Sequence, residues 1–310
     1  MSKIIVIGSL NMDLVVNIDR FPMSGETVSG SELKTIPGGK GANQAAAAAL
    51  LGASVSMVGR VGNDIYGSSL TKNLQNLGID ISGITVDQYT QTGSAIILIN
   101  SQGENCIVIS PGANGEVGKN DVFDNKDKII GAKILLLQFE LPIQTVISAI
   151  EIAHQNGVTV ILNPAPVAEL PREIYPMIDI LIPNEREASS LTGIEVNDIA
   201  SASAAATQLR SFGIRKVIIT LGNIGSLLVM DDACIHVPGL EVEVVDTTAA
   251  GDAYIGALAF AIVKGYSIED AVQYASLAGA LSVTKKGAQT SLPTAEEVNR
   301  LYENLKKANL

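Results

Sequence analysis

The feature that most limits the fold of this chain is a rhythm of short apolar runs, each followed by a longer stretch with helical spacing. Runs rich in Ile, Val and Leu stand at 4–9 (IIVIGS), 53–59 (ASVSMVG), 132–140 (AKILLLQFE), 158–166 (VTVILNPAP), 178–185 (IDILIPNE) and 215–222 (RKVIITLG). They are too short for buried helices and apolar at successive positions, so they read as strands buried on both faces, as in a parallel sheet. Helical patterns at 41–52, 67–78, 142–157 and 200–213 separate them, each ending in a glycine that suits a helix C-terminus. The alternation predicts a doubly wound, mostly parallel α/β sheet flanked by helices.

Residues 11–36 and 93–110 break the rhythm, with β-type alternation around turn residues and no helix. They read as one small antiparallel sheet inserted in two pieces into a body formed by 1–10, 37–92 and 111–310. Such a sheet cannot bury both its faces alone, so it is expected to cover the mouth of the body, a second subunit, or both.

The formal net charge of −11 speaks against a nucleic-acid or anionic-membrane partner, because phosphate would meet a repulsive average field. Cys106 and Cys234 are far apart, with no metal or disulfide spacing, and are expected to be buried thiols in a reducing compartment. Only four consecutive apolar residues precede Gly8, too few for a signal peptide, and no later stretch approaches a membrane span. A cytoplasmic location is the expectation.

Ligands of open α/β sheets bind beyond the carboxyl ends of the strands, which directs attention to Gly8–Asp13, Glu140, Asn163, Asn184–Glu187 and Thr220–Gly225. Two glycine-rich elements add to these. PGGKGANQAAAAALLG (37–52) sets three glycines around Lys40, and VVDTTAAGDAYIGALAFAIV (244–263) runs from a strand ending at Asp246 through a small-residue turn into a helix from about Gly251. The second aims unpaired helix N–H groups and a positive dipole end into the turn, an anion site without a lysine. Asp252 would compete with an anion for those donors unless it accepts a proton from a hydroxyl attacking phosphorus; the alternative is an idle acid in a first helical turn. Lys40 has an alternative as a solvated lysine, and His154 and His236 are assigned no chemistry. Gly41 after Gly-Lys departs from the Walker A loop, and Gln44 departs from the dinucleotide fingerprint.

GSLNMD (8–13), GGKGANQA (38–45), LNPAP (162–166), PNEREA (183–188), ITLGNIG (219–225), DTTAAGD (246–252) and KKGAQTS (285–291) together resemble, in order and over nearly the whole chain, the ribokinase (PfkB) family of carbohydrate kinases. The resemblance implies a ribokinase-like fold with the small sheet as a lid, and ATP-dependent phosphorylation of D-ribose at O5, giving D-ribose 5-phosphate and ADP. It places Asn11, Asp13, Gly39, Lys40, Asn43 and Glu140 on the sugar, with Asp252 as general base and the N–H groups of Ala249, Ala250 and Gly251 as the anion hole. ATP would lie along Asn184, Thr220, Leu221, Gly222, Asn223, Gly225, Gly251, Asp252 and Ser276, with Glu187 organising Mg²⁺ through water. Asp246, Thr248, Ser282, Lys285, Gly287 and Ser291 match the positions around an activating K⁺, Lys285 by its carbonyl alone. A homodimer through paired lids is also implied.

The chain departs from many members of the family at Ala249, Ala253, Tyr254 and Ser276. Ala249 suits the anion loop provided its φ is negative. Rival readings are a kinase of deoxyribose, fructose or a nucleoside, a non-catalytic sugar-binding protein, and an oxidoreductase, which lacks its fingerprint.

Overall fold

The apolar runs satisfy their backbone N–H and C=O groups by pairing with one another, as burial on both faces demands. The computed structural model describes residues 3–231 and 233–308; residues 1, 2, 232, 309 and 310 of the expected body lie outside the described residues. The strands are β1 Ile4–Ile7, β2 Asn11–Asn17, β3 Lys34–Gly38, β4 Val55–Gly62, β5 Asp80–Asp87, β6 Gly93–Ile99, β7 Asn105–Ser110, β8 Ile134–Leu137, β9 Thr159–Leu162, β10 Ile180–Leu181, β11 Lys216–Thr220, β12 Gly225–Val229 and β13 Cys234–Pro238. The α-helices are α1 Lys40–Leu50, α2 Ile65–Asn76, α3 Lys119–Asp124, α4 Lys126–Gly131, α5 Ile143–Gln155, α6 Glu185–Thr192, α7 Ile199–Arg210, α8 Ala250–Lys264, α9 Ile268–Ser282 and α10 Ala295–Ala308.

Among the described residues these strands make two sheets, a nine-stranded one ordered β13-β12-β11-β10-β9-β8-β1-β4-β5 and a four-stranded one ordered β3-β2-β6-β7. Pairing in the large sheet is parallel from β5 to β11, and β12 and β13 extend it antiparallel. Alternate side chains of β1 enter opposite layers. Ile4 and Val6 join Ala45 and Ala48 of α1 and Leu258 of α8, while Ile5 and Ile7 join Val146 and Ile150 of α5 and Ala202 of α7. The strand order reverses at β1, which lies between β4 and β8. The crevice at that reversal is where α/β folds bind ligands, and the segments leaving β1 and β8 carry Ser9, Asn11, Gln138 and Glu140 to it.

Three expectations need correction. The small sheet is mixed, because β2 and β6 lie side by side in parallel while the outer pairs β2–β3 and β6–β7 are antiparallel. Each inserted piece starts with a strand that leaves the body in the same direction, so the two starting strands meet in parallel. Cys106 and Cys234 are exposed rather than buried, since both stand on outermost strands, where one flank faces solvent. No strand leads into Asp246: β13 ends at Pro238, and the N–H groups of Val245 and Asp246 instead donate to the Val283 carbonyl at 2.8 and 3.2 Å. The alanines of α1 meet another helix as well as the sheet, because Ala46 and Ala47 cluster with Ala253 of α8. A Cβ on Gly256 of α8 would lie 2.5 Å from the Ala47 Cβ and 2.7 Å from the Gln44 carbonyl oxygen.

Among the described residues no helix is long and apolar enough to cross a membrane.

Candidate active site

Two helix N-termini build the site. α1 starts at Lys40 behind Gly39, whose φ of 91° is open to glycine and strained for other residues. Side chains at helical spacings of three and four share a face, so Lys40, Asn43 and Gln44 project together. α8 starts at Ala250 and carries Asp252 in its first turn, 6% exposed. The close α1–α8 approach joins the two: Asn43 Nδ2 donates to Asp252 Oδ2 at 3.0 Å, and Gln44 Nε2 donates to Oδ1 at 3.1 Å.

Ala249, before α8, has a φ of 60° and ψ of 12°, a left-handed conformation and not the negative φ expected. Among the described residues it is the one non-glycine with positive φ. The tight turn into α8 demands that conformation, and an alanine there costs roughly 1–2 kcal/mol, which marks a constrained loop.

The first-strand residues and Glu140 close the other side. Glu140 Oε2 accepts from the Ser9 hydroxyl and from the Lys40 N–H. Asn11 Oδ1 accepts from Asn114 Nδ2 at 2.7 Å, and Asn114 is itself oriented by the Leu10 N–H and carbonyl. The Asn11 amide is therefore turned with Nδ2 away from Asn114, as a donor.

Four carboxylates and one lysine share this space. Burial pushes the Asp13 carboxyl up to about 7, with the charges of Glu140 and Asp252 adding to the shift. Burial also raises Asp252, opposed by the Lys40 charge and the amides of Asn43 and Gln44. Burial works against the charge on Lys40, but Asp252, Glu140 and Glu187 outweigh it and hold the ammonium above its usual range. A site with this balance holds a protonatable base beside a fixed cation, as transfer of a proton from a hydroxyl requires.

A cavity of about 200 Å³ opens beside Asp252, lined by Lys40, Asn163, Asn184, Glu187, Thr247 and the Ala249–Gly251 turn. It continues into a groove of about 950 Å³ along Thr220, Gly222, Asn223, Gly225, Leu240 and Ser276. Asn184 and Glu187 cap α6 reciprocally: Asn184 Oδ1 accepts from the Glu187 N–H at 2.8 Å, and Glu187 Oε2 accepts from the Asn184 N–H at 2.9 Å. Burial raises the Glu187 carboxyl, opposed by the Asn184 backbone and by Lys40.

Of the expected residues, Asn11, Asp13, Gly39, Lys40, Asn43, Glu140 and Asp252 converge at the crevice. Asn184, Thr220, Gly222, Asn223, Gly225, Gly251 and Ser276 line the groove. Leu221 is buried, and its N–H bonds the Gly225 carbonyl, so it holds the turn and offers no side chain to a ligand. Around the expected cation position, Asp246 accepts from the Thr248 hydroxyl at 2.6 Å, the Thr248 N–H at 2.9 Å and the Gly287 N–H at 2.9 Å. These bonds hold its carboxyl below the usual range against the opposing effect of burial, the largest single influence on it. Ser282 and Ser291 donate their hydroxyls to Gly279 and Ala288 carbonyls, and the Lys285 ammonium turns away to Glu297 at 2.6 Å. The potential donors there are all oxygens, which fits a hard monovalent cation.

Sequence reasoning passed over Gln44, Gln138, Asn114 and Thr247. Gln138 carried a signal, as the one polar residue inside LLLQF, and Gln44 carried one as the i+4 partner of Lys40. Asn114 stands in a short 3-10 helix and Thr247 in the irregular segment before α8, with no distinguishing pattern.

The sequence profile described as pfkB family carbohydrate kinase matches residues 1–295. A ribokinase of Staphylococcus aureus (strain COL) is 39% identical over 302 residues, 97% of this chain and 99% of that protein. A deoxyribokinase of Salmonella typhi is 38% identical over 297 residues, 96% of this chain and 97% of that protein. The structure of Arabidopsis thaliana ribokinase complexed with ribose and ATP superposes with a TM-score of 0.90 at 35% identity, covering 97% of this chain and 98% of that one.

Proposed function

The chain belongs to the pfkB family of carbohydrate kinases, and from that premise we propose that it transfers the γ-phosphoryl group of ATP to O5 of D-ribose, giving D-ribose 5-phosphate and ADP. The observation that carries the reading is one buried carboxylate, Asp252, held by two neutral amides at the helix end where the cavity and the groove meet. The Staphylococcus aureus and Arabidopsis relatives support the sugar assignment by their names.

In this proposal Asn11, Asp13, Lys40, Asn43 and Glu140 hold the sugar, aided by the open backbone at Gly39. The Asn43 side-chain Oδ1 is buried and has no partner among the described residues, an acceptor left for a ligand hydroxyl. Asp252 takes the proton of the O5 hydroxyl as O5 bonds to the γ-phosphorus, and the bond from that phosphorus to the β-bridging oxygen breaks, releasing ADP. The N–H groups of Ala249, Ala250 and Gly251 and the Lys40 ammonium stabilise the charge on the transferred group. The adenosine part lies along Asn184, Thr220–Gly225 and Ser276, touching the backbone at Leu221. Asn184 and Glu187 would organise Mg²⁺ through water, which neutralises phosphate charge when bound. Asp246, Thr248 and the carbonyls of 282–291 would hold K⁺, which fixes the anion loop.

The lid, 11–36 and 93–110, would close over the sugar from the α/β body. Strand β7 is exposed along its whole length, with Ile107, Val108 and Ile109 at 50%, 60% and 47%. We propose that a second lid pairs with this edge in a homodimer.

Deoxyribose is the specific alternative, because a deoxyribokinase matches almost as well. Asn11 favours a full set of hydroxyls, since a buried amide donor without its partner is costly. ADP release is to be measured over ribose, deoxyribose, fructose and nucleosides, with and without potassium. The highest kcat/KM is expected with ribose and potassium; faster turnover of deoxyribose would overturn the sugar assignment, and no release with any of them would restore a sugar-binding role.

A further inference from the structure

Asp252 can only accept hydrogen bonds once ionised, which fixes the orientation of every amide behind it. Gln44 must present Nε2 to Asp252 Oδ1, at 3.1 Å, and this turns its Oε1 toward Gln138, whose Nε2 donates to it at 2.6 Å. Asn163 Oδ1 lies 3.5 Å from the same Gln44 nitrogen, and its Nδ2 is committed to the Ile182 carbonyl at 3.1 Å. Gln44 and Gln138 are both 0% exposed, and neither lines the cavity or the groove. The chain ends at Gln138 Oε1, buried and without a partner among the described residues. An unpartnered amide oxygen in the core is destabilising, so stability alone does not account for a glutamine there.

We propose that Gln44 and Gln138 are positioning residues, a two-amide chain that fixes the Asp252 carboxylate about its own axis and keeps one of its lone pairs on the attacking hydroxyl. The inference rests on the reading of Asp252 as general base. Asn43 holds the other carboxylate oxygen from the substrate side, whereas Gln44 acts from behind. The charged groups facing Asp252 are Lys40 of α1, Asp13 of β2, Glu140 after β8 and Glu187 of α6, and of these only Lys40 favours its ionised form. The two amide donors therefore supply much of what keeps the base charged in a crowd of carboxylates.

The test is steady-state kinetics against pH on the full chain as Gln44→Met, Gln138→Met and the double variant, each nearly volume-conserving. For Gln44→Met, kcat is expected to fall about 10- to 100-fold with the sugar KM within about threefold, and the acid limb of kcat to rise by about one pH unit. Gln138→Met, which does not touch Asp252, shifts both in the same direction by less. The double variant is no worse than Gln44→Met, because Gln138 acts only through Gln44. An unchanged acid limb and kcat in Gln138→Met, multiplying effects in the double variant, or a rise confined to KM would each overturn the proposal. If Gln44→Met does not fold, the Gln138→Met result decides alone. Asp252→Asn separates the two levels: turnover retained there sinks the base itself, whereas an inactive Asp252→Asn beside glutamine variants that match the parent sinks only the positioning chain.

Discussion

Asp13 lies within electrostatic reach of two other carboxylates, and its carboxyl is pushed up to about 7, first by burial and then by Glu140 and Asp252. A carboxyl raised in the folded state binds its proton more tightly folded than unfolded. Its contribution is therefore present below the ordinary value of 3.8 and is lost as pH rises through about 7. Asp13→Asn should flatten that loss: without sugar, the variant should gain on the parent by about 1 kcal/mol per pH unit from roughly pH 5 to 7, measured by urea unfolding. Equal pH slopes for the two proteins would show that Asp13 is not protonated in the empty site. The same variant should bind ribose poorly, which is the expected trade of stability for function. Asp13 stands out in the sequence as a polar residue shortly after an apolar strand, and Asp252 as an acid opening a helix behind a small-residue turn. The φ of Ala249 was not legible, since a backbone dihedral follows from how the turn must enter α8, and alanine gives no sign of it.

The contact between α1 and α8 decides whether Asn43 and Gln44 of one helix can reach Asp252 of the other. Gly256 meets Ala47 and the Gln44 backbone so closely that a methyl group there has no room. Gly256→Ala should force the helices apart, cost about 1–3 kcal/mol in stability, and lower kcat more than the sugar KM by lengthening the Asn43 and Gln44 bonds to Asp252. Unfolding curves and kinetics check it; wild-type stability with wild-type kcat would mean the helices tolerate a wider spacing. The strands and helices of the body were legible because burial on both faces writes a continuous apolar run, and glycine after a helix writes its end. Less legible were pairings that depend on where a chain segment enters. The parallel meeting of β2 and β6 has no local signature, and the segment before Asp246 carries strand-like Val and Glu alternation yet bonds to Val283 instead.

At the scale of the whole molecule, the nine-stranded sheet fixes the crevice and the four-stranded sheet ends in an unpaired edge. Ile96, Ile107, Val108 and Ile109 leave apolar surface on that small sheet. A dimer through this edge predicts sedimentation as twice 32.3 kDa at micromolar concentration, and Ile107→Lys with Val108→Glu should shift it to the monomer while the body stays folded. A parent that sediments as a monomer would remove the lid pairing. The central claim is that Asp252 removes the proton of the attacking hydroxyl. Its most direct measurement is ribose affinity and single-turnover ADP formation in Asp252→Asn beside the parent. The account predicts ribose affinity within about tenfold and turnover lower by at least about a thousandfold; turnover within about tenfold of the parent would contradict it.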